Sequence, residues 1–350
     1  MTPPAHPYKP SADLSKFYVI TPISNPRRFA RRYELYHLFK EEMTNAGINL
    51  ITVEQAFGER PFMVTSPTDK MNVQVRSFEE LWHKECQITI GIKKAVELGA
   101  EYVAWIDADC RYAGITRDWV EETYQMLQHH HFVQMWENMV DLDLNNNPVG
   151  GPQPSFMANY VKYGNPNPEQ FRKIEAAAAS KGWASYYDPA IVKDGKLEVS
   201  RIFGRPGLAW AATVEAMNLV GGMIDFSILG AGDWYQAHGL VGSMVVTAGE
   251  QYSAAYSAKL MAWQDRANHF IKRDVGFVKG TVFHYYHGDK VNRQYNTRGQ
   301  ILKDGNYDPT TDITYDAQGL LQLVVMDDRQ IKMRDAIRAY FQARNEDQQP

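Results

Sequence analysis

The first 130 residues alternate between strand-like and helix-like segments, and this alternation constrains the fold more than any other feature. Segments 16–24, 48–57 and 101–106 are rich in β-branched and aromatic residues, whereas 25–47, 77–99 and 116–130 have helical periodicity. Strands that alternate with helices are typical of a parallel sheet with right-handed crossovers. The sequence therefore predicts an α/β fold with a mostly parallel central sheet flanked by helices. Ligands of such sheets bind beyond the carboxyl ends of the strands.

Capping signals and apolar spacing predict the bounds of the first two helices. Asn25 is predicted to cap the first helix, with Pro26 at its first position and its end near Gly47. Ser77 is predicted to cap the second, which ends at Gly99. The predicted apolar faces are Phe29, Tyr33, Leu38 and Phe39 for the first helix, and Leu81, Ile88, Ile92 and Val96 for the second. The polar segment 65–76 is predicted to be a loop.

The rest of the chain is less regular. Residues 136–183 are rich in Asn, Gly and Pro, and 207–222 indicate a strand followed by a short helix. Another helix is predicted to begin near 232, and 274–290 are predicted to form a strand pair that leads into a His-rich loop. We predict a flexible Pro-rich tail over 1–15, one domain over 16–325, and a charged helix with a polar end over 326–350.

Composition and charge exclude several classes of protein. No stretch of about 18 uninterrupted apolar residues is present, and residues 1–17 lack the pattern of a signal peptide, which predicts a cytoplasmic protein without a membrane span. Two cysteines cannot form a disulfide framework or a Cys-based zinc site. The net charge of −4 argues against a protein that binds nucleic acid over its whole surface.

Two acidic residues follow the third predicted strand, in the sequence YVAWIDADCRY. Carboxylates as close as Asp107 and Asp109 repel each other unless a cation lies between or beside them. Mg²⁺ and Mn²⁺ prefer such oxygen ligands. The alternative is a solvated loop, but the position at the end of a predicted parallel strand favours a metal site.

A Gly-rich turn precedes a third acidic candidate, Asp233, in DFSILGAGDWYQ. An acid at the start of a helix can cap it, which is the structural interpretation. The functional interpretation is a general base that a bound hydroxyl group approaches across the glycines. Asp225 is a second candidate, within a more apolar run.

A loop near residue 290 carries two histidines and two cations. His284 and His287 are three residues apart, and either can supply one ligand to a metal. Lys290 and Arg293 follow and can bind phosphate oxygens.

Further cations lie near the first two helices. Arg27, Arg28, Arg31 and Arg32 are spaced to share a helical face, which is either solvated or attracts the phosphate of a donor or a nucleic acid. Lys84 either points to solvent or reaches the same cleft. No G-x-G-x-x-G, Walker A, G-x-S-x-G or H-E-x-x-H motif is present.

Eight segments together carry a resemblance to a known family. They are VITPISNP, TVEQAFGER, LWHKE, VAWIDADC, GLAWAA, DFSILGAGDW, GFVKGTVFHYYHGDKVNRQY and YDPTTDITYDAQGLLQL. In this order, over residues 17–323, the chain resembles the GT-A glycosyltransferases, and specifically a family-2-like group common in phages and bacteria. The resemblance implies a single Rossmann-like GT-A domain that transfers sugar from a nucleoside diphosphate sugar with Mn²⁺ or Mg²⁺.

The resemblance also implies a role for each matching residue. Those implied to bind the nucleotide sugar are Thr21, Pro22, Glu54, Lys84, Asp107, Lys290, Arg293 and Tyr295. Asp109 resembles the metal ligand, with His287 or His284 as the second. Asp233 takes the place of the catalytic base of inverting members, although many of these carry Glu-Asp where this chain has Gly232 and Asp233.

The implied donor is a UDP-sugar, and the acceptor is open. Phage members of the group suggest 5-hydroxymethylcytosine in DNA, and such a base would have to be flipped out of the duplex. The alternatives are a polysaccharide or protein acceptor, or an inactive module that only binds a nucleotide or glycan. No acceptor motif is recognisable in the sequence.

Overall fold

The computed structural model describes residues 13–164, 204–244, 252–295, 297–324 and 327–348. The strands in these ranges are β1 (Phe17–Ser24), β2 (Asn49–Phe57), β3 (Asn72–Ser77), β4 (Tyr102–Ile106), β5 (Cys110–Tyr112), β6 (Phe132–Gln134), β7 (Asn138–Leu142), β8 (Pro148–Pro154), β9 (Ala209–Thr213), β10 (Val275–Phe277), β11 (Thr281–His284), β12 (Ile313–Tyr315) and β13 (Leu321–Leu323). The α-helices are α1 (Ala30–Asn45), α2 (Lys84–Glu97), α3 (Thr116–Met126), α4 (Phe156–Tyr163), α5 (Val214–Val220), α6 (Gly232–Leu240), α7 (Ala254–Arg266), α8 (Gly299–Asp304) and α9 (Asp328–Ala343).

The largest sheet has seven strands in the order β10-β6-β9-β4-β1-β2-β3. Strands β4, β1, β2 and β3 are parallel, β9 runs antiparallel to both of its neighbours, and β10 is parallel to β6. The predicted α/β fold with a mostly parallel sheet is therefore confirmed. Because β1, β2 and β4 run in the same direction, their carboxyl ends lie at one edge of the sheet.

Helices cover both faces of the sheet, so side chains on both faces of the central strands are buried. Val19 and Ile20 of β1 are both fully buried although they point to opposite faces, as expected for a parallel strand with a layer on each side. Helix α2 approaches β1 closely at Gly91. A Cβ there would lie 2.4 Å from Cγ2 of Ile20, so a larger residue would push the helix away from the sheet.

A second sheet has four strands in the order β5-β11-β7-β8, and all four follow β4 in the sequence. Strand β5 starts one residue after Asp109 and pairs antiparallel with β11, so that Cys110 lies opposite His284. The predicted strand pair at 274–290 is wrong in its pairing, because β10 joins the large sheet and β11 joins this one. That separation carries the end of β11 towards the carboxyl end of β4.

The first helix begins four residues later than predicted. The Asn25 side chain accepts a hydrogen bond from the Phe29 amide and donates one to the Phe29 carbonyl, both at 2.9 Å, which closes a turn rather than capping a helix. Arg28 in this turn has a φ of +57°, which is not helical. The buried face consists of Leu35, Tyr36, Phe39 and Met43, so Phe39 alone was correctly predicted to be buried; Leu38 is 50% exposed.

The second helix also begins later than predicted, at Lys84. Ser77 is the last residue of β3 and does not cap the helix. Part of the predicted loop 65–76 is therefore strand, which pairs in parallel with β2. Of the predicted face, Leu81, Ile88 and Ile92 are buried, but Val96 is 46% exposed.

The irregular middle of the chain contains β7, β8 and α4, and its residues 165–183 lie outside the described ranges, as do residues 1–12 of the predicted tail. The predicted C-terminal helix corresponds to α9, which Asp327 and Gln330 cap reciprocally. None of the helices in the described ranges combines the length and the apolar character that a bilayer crossing requires.

Candidate active site

A cavity of about 1770 Å³ opens at the carboxyl ends of β1 and β4. The predicted site residues that line it are Pro22, Lys84, Asp107, Asp109, Asp233, His284, His287, Lys290, Arg293 and Tyr295. Ten residues drawn from positions 22 to 295 thus meet at the sheet edge where a ligand was expected.

A tight turn after β4 presents Asp107 and Asp109. The Asp107 amide donates to the Leu208 carbonyl at 2.8 Å, and the Cys110 amide donates back to the Asp107 carbonyl at 3.1 Å. Nζ of Lys84, the first residue of α2, lies 2.5 Å and 2.7 Å from the two carboxylate oxygens of Asp107. Asp107 therefore has its own cation, and Asp109 faces a different set of partners.

Asp109 lies against the His-rich loop. The Tyr285 amide donates to the Asp109 carbonyl at 2.9 Å, which extends the β5–β11 pairing and brings His284 and His287 to the carboxylate. One ligand atom each from Asp109, His284 and His287 lies within 4.8 Å of the others. Oδ1 of Asp109 is buried and has no hydrogen-bond partner among the described residues.

A buried carboxylate orients His284. Nδ1 of His284 lies 2.8 Å from Oδ1 of Asp141 and donates to it, because an ionised carboxylate only accepts. The other oxygen of Asp141 accepts from Gln153 at 3.0 Å and pairs with Lys290. This fixes the tautomer of His284 and leaves its Nε2 lone pair available, as metal-binding histidines require.

The state of His287 points to a cation at the same place. Burial and the charge of Arg293 lower the pKa of His287 to about 3, so the imidazole is neutral at pH 7. Its Nδ1 carries the proton, because it lies 2.9 Å from the Tyr285 carbonyl, which only accepts. Nε2 therefore carries a lone pair, and it lies 3.1 Å from Oδ2 of Asp109. Two acceptors at this distance repel each other unless positive charge joins them.

In the structure the positive charge comes from Arg293, whose Nη2 lies 2.7 Å from Nε2 of His287. Burial opposes the ionisation of Asp109. The positive charges of the two histidines, when these are protonated, and of Arg293 outweigh burial, and the pKa of Asp109 lies below its ordinary range. A divalent cation bound by Asp109 and the two histidines would take over the role of that guanidinium. The nitrogen and oxygen donors fit such an ion.

Asp233 is the second residue of α6. Gly230 and Ala231 before it have φ values of +88° and +79°, so the chain reverses sharply into the helix. Oδ1 of Asp233 accepts from the next amide, that of Trp234, at 2.8 Å. A Cβ at Gly207 would lie 2.6 Å from Oδ2, so this glycine leaves room for the carboxylate. The other candidate, Asp225, accepts from the Tyr315 hydroxyl at 2.6 Å and is not among the described lining residues.

Two residues predicted to hold the nucleoside are elsewhere. Glu54 is buried, and its carboxylate accepts hydrogen bonds from the amides of Met63, Val64 and Thr65. Thr21 is fully buried within β1. Neither is among the described residues that line the cavity, so the geometry gives no support to a contact with ribose or base.

The four arginines near α1 do not form one face. Arg27 pairs with Glu80 at 2.8 Å, Arg28 contacts the Met63 sulfur, and Arg31 donates to the Tyr286 carbonyl. Arg32 pairs with Glu346 and is the one of the four that lines the described cavity. The geometry gives no support to a single phosphate-attracting patch, because each side chain is engaged by a different part of the chain.

The sequence assigned no role to three candidates, Asp141, Glu85 and Glu346. Asp141 orients His284, and Glu346 pairs with Arg32 and with Arg344. Glu85 lies in the cavity beside Lys84 and packs against Gly232. Each of them contacts a residue that is far away in the sequence. The separation is 143 positions for Asp141 and His284, 314 for Glu346 and Arg32, and 147 for Glu85 and Gly232, so no local pattern signals these contacts.

No protein-family model and no curated protein matches the sequence. The solved structures to which the fold is similar include a mutant of Drosophila beta-1,4-galactosyltransferase 7 in complex with manganese, UDP-Gal and xylobiose, at 8% identity and a TM-score of 0.36, covering 91% of this chain and 98% of that one. The catalytic domain of the same enzyme with xylobiose is similar at 9% identity and a TM-score of 0.34, with the same coverage. Mannose-1-phosphate geranyltransferase from Thermus thermophilus follows at 11% identity and a TM-score of 0.32, covering 77% of this chain and 74% of that one. At these TM-scores the function has to follow from the site residues themselves.

Proposed function

We propose that the chain is a metal-dependent glycosyltransferase that moves a sugar from a nucleoside diphosphate sugar, a UDP-sugar, to an acceptor hydroxyl group. One observation carries the proposal: Asp109, His284 and His287 converge in the same cavity as the ion-paired Asp107 and the carboxylate of Asp233. An oxygen and nitrogen donor set beside a separate carboxylate suits the transfer of a group whose leaving group is a diphosphate.

The residues divide into holding and reacting groups. A divalent cation, Mn²⁺ or Mg²⁺, held by Asp109 and the two histidines, would neutralise charge on the diphosphate leaving group. Lys84 fixes Asp107 at the end of β4, where its free lone pairs can accept from ribose hydroxyl groups. Lys290, Arg293 and Tyr295 line the same cavity and offer donors to phosphate oxygens.

Asp233 performs the proton transfer in this proposal. It accepts the proton of the acceptor hydroxyl while the acceptor oxygen bonds to the anomeric carbon. The bond from that carbon to the diphosphate oxygen breaks, and its electron pair leaves with the diphosphate. A single displacement of this kind inverts the configuration of the sugar, and no covalent intermediate on the protein is required.

Replacing Asp109 with Ala tests the metal site. We expect the release of nucleoside diphosphate from a panel of UDP-sugars to fall roughly 100- to 1000-fold, as when one charge-stabilising group is removed. Titration with Mn²⁺ should show weaker binding in the same variant. Asp118→Ala, an exposed acid on α3, is the matched control and should behave as wild type. Wild-type activity that survives chelation, or an active Asp109→Ala enzyme, contradicts the proposal.

The acceptor is a finer prediction, and 5-hydroxymethylcytosine in DNA remains its first candidate. The arginine patch that suggested DNA is engaged by other parts of the protein, so this acceptor now rests on the resemblance alone. Incubation with hydroxymethylcytosine DNA and UDP-sugars, followed by mass spectrometry of the nucleosides, tests it. An unchanged nucleoside mass, together with labelling of a polysaccharide or protein, favours the alternative acceptors. A failure to release nucleoside diphosphate from any donor favours a binding module. The cytoplasmic location also stays a prediction.

A further inference from the structure

Glu85 is a buried acid in the cavity to which the proposed reaction assigns no role. It is the second residue of α2 and is 3% exposed. Its Oε2 atom has no hydrogen-bond partner among the described residues, although the side chain lines the cavity. An unpartnered carboxyl oxygen at this depth is costly unless it carries a proton or meets a ligand.

The Glu85 side chain packs directly on the turn that carries the proposed base. A Cβ at Gly232 would lie 2.5 Å from Oε1 and 2.6 Å from Cδ of Glu85, so only a glycine at position 232 allows this approach. The next residue along α6 is Asp233. Two carboxyl groups thus reach the same part of the cavity from two different helices.

The charged groups that face Glu85 are Lys84 on its own helix, Asp233 on α6 and Asp107 after β4. Burial raises the pKa of Glu85 to about 8; Lys84 opposes the shift, and the two aspartates add to it. The carboxyl group is therefore mainly neutral at pH 7. Two neighbouring carboxyl groups that cannot both ionise cheaply divide into one acid and one carboxylate.

We propose that Glu85 is the proton-holding partner of Asp233, a positioning residue that stays a neutral carboxylic acid so that Asp233 alone carries the negative charge and acts as the base. This role rests on the proposed transfer reaction. Glu85 keeps its proton throughout, and the acceptor proton goes to Asp233. The Oε2 hydroxyl of Glu85 is left free to donate a hydrogen bond to a bound acceptor. A second negative charge here would also repel the diphosphate of the donor.

The first test is the pH dependence of kcat/KM between pH 6 and pH 10. In wild type we expect it to fall about tenfold per pH unit above pH 8, as Glu85 loses its proton. Glu85→Gln, which is neutral at every pH, should lack this alkaline fall. Glu85→Ala should lose activity at pH 7 roughly 10- to 100-fold, and Gln should restore much of the loss. Glu97→Gln, at the exposed end of the same helix, should keep the wild-type profile.

An alkaline fall that persists in Glu85→Gln, or a Gln variant no better than Ala, would overturn the proposal. The second test needs no activity. The infrared carbonyl band of a protonated carboxylic acid should be stronger in wild type than in Glu85→Gln at pH 7, and this difference should vanish by pH 10. If no difference band appears, the proposal fails even for an active transferase. If the band appears but no donor is ever cleaved, the transfer reaction fails, and the role at Asp233 fails with it.

Discussion

Replacing Asp141 with Asn removes the charge that orients His284 while keeping the size of the side chain. Asp141 is buried and accepts from His284 and from Gln153, and it pairs with Lys290. Burial opposes its ionisation, but the hydrogen bond from His284 and the charge of Lys290 lower its pKa well below the ordinary range. The amide of Asn has one acceptor and one donor end. Whichever way it lies, its N–H groups face another donor, either Nδ1–H of His284 or the cations and amide on the other side.

The expected cost falls on metal binding. If His284 rotates or changes tautomer to avoid the clash, its Nε2 lone pair is no longer held in one orientation for the metal. Loss of such an orienting partner lowers metal affinity about 10- to 100-fold, which corresponds to about 1.4 to 2.8 kcal/mol. Mn²⁺ should therefore bind more weakly, although Asp141 itself is not one of the three candidate ligands.

Isothermal titration with Mn²⁺, checked by the electron paramagnetic resonance signal of the free ion, measures this affinity. The matched control is Asp143→Asn, two residues along the chain, where the acid accepts from the amides of Asn145 and Asn147 in an exposed turn. The control should bind Mn²⁺ within about twofold of wild type. If Asp141→Asn binds as tightly as the control, while both variants melt at similar temperatures, Asp141 does not orient a metal ligand and the reasoning is refuted.

Two further predictions concern stability. Glu346→Gln leaves the partly exposed Arg32 and the buried Arg344 without their shared carboxylate, and urea unfolding at pH 7 should show a loss of about 3 kcal/mol. Burial opposes the charge, but the two arginines lower the pKa of Glu346 to about 2. The contribution of Glu346 to stability is therefore complete above the unfolded pKa near 4.3 and disappears as the pH falls towards 2. Over this pH range the variant should lose less stability than wild type. Glu54→Gln should cost about 1 to 3 kcal/mol through the amides of 63–65, with calorimetric UDP affinity unchanged; a loss of UDP affinity would return Glu54 to the nucleotide site.

The strands that end at the site could be predicted from the sequence because their signal is local. Segment 101–106 is a short apolar run bounded by an acidic turn, and it corresponds to β4 with one residue of difference. The ends of elements were harder. Ser77 has the chemistry of a helix cap, but its place is set by the register of β3 on β2, in which Ser77 lies opposite Phe57. Register depends on a partner strand that the local pattern does not contain.

The same distinction explains the site residues. The Glu54 carboxylate, near a strand end, has the sequence setting of a ribose ligand, yet three amides from a loop nine to eleven residues later use its oxygens. Asp141 and Glu85 were assigned no role for the opposite reason. Each has an ordinary sequence setting and becomes important only through a distant partner, His284 in one case and Gly232 in the other. Sequence patterns identify the candidate residues at the sheet edge. Tertiary contacts then determine whether a carboxylate oxygen is free for a ligand or is bound by another part of the protein.

The least patterned segment of the sequence, 344–348, has a large part in holding the site together. Phe29 offers α1 no side-chain cap, and the carboxylate of Asp347 takes this role by accepting from the amides of Ala30 and Arg31, both at 2.9 Å. A negative charge at this end also complements the helix dipole. The same segment reaches the His-rich loop, because the Tyr286 hydroxyl contacts the Gln348 carbonyl at 3.3 Å and a Cβ at Gly288 would lie 2.8 Å from Cα of Glu346. Since Gly288 follows His287 directly and has a φ of +87°, the position of that histidine depends on a glycine and on this polar segment together.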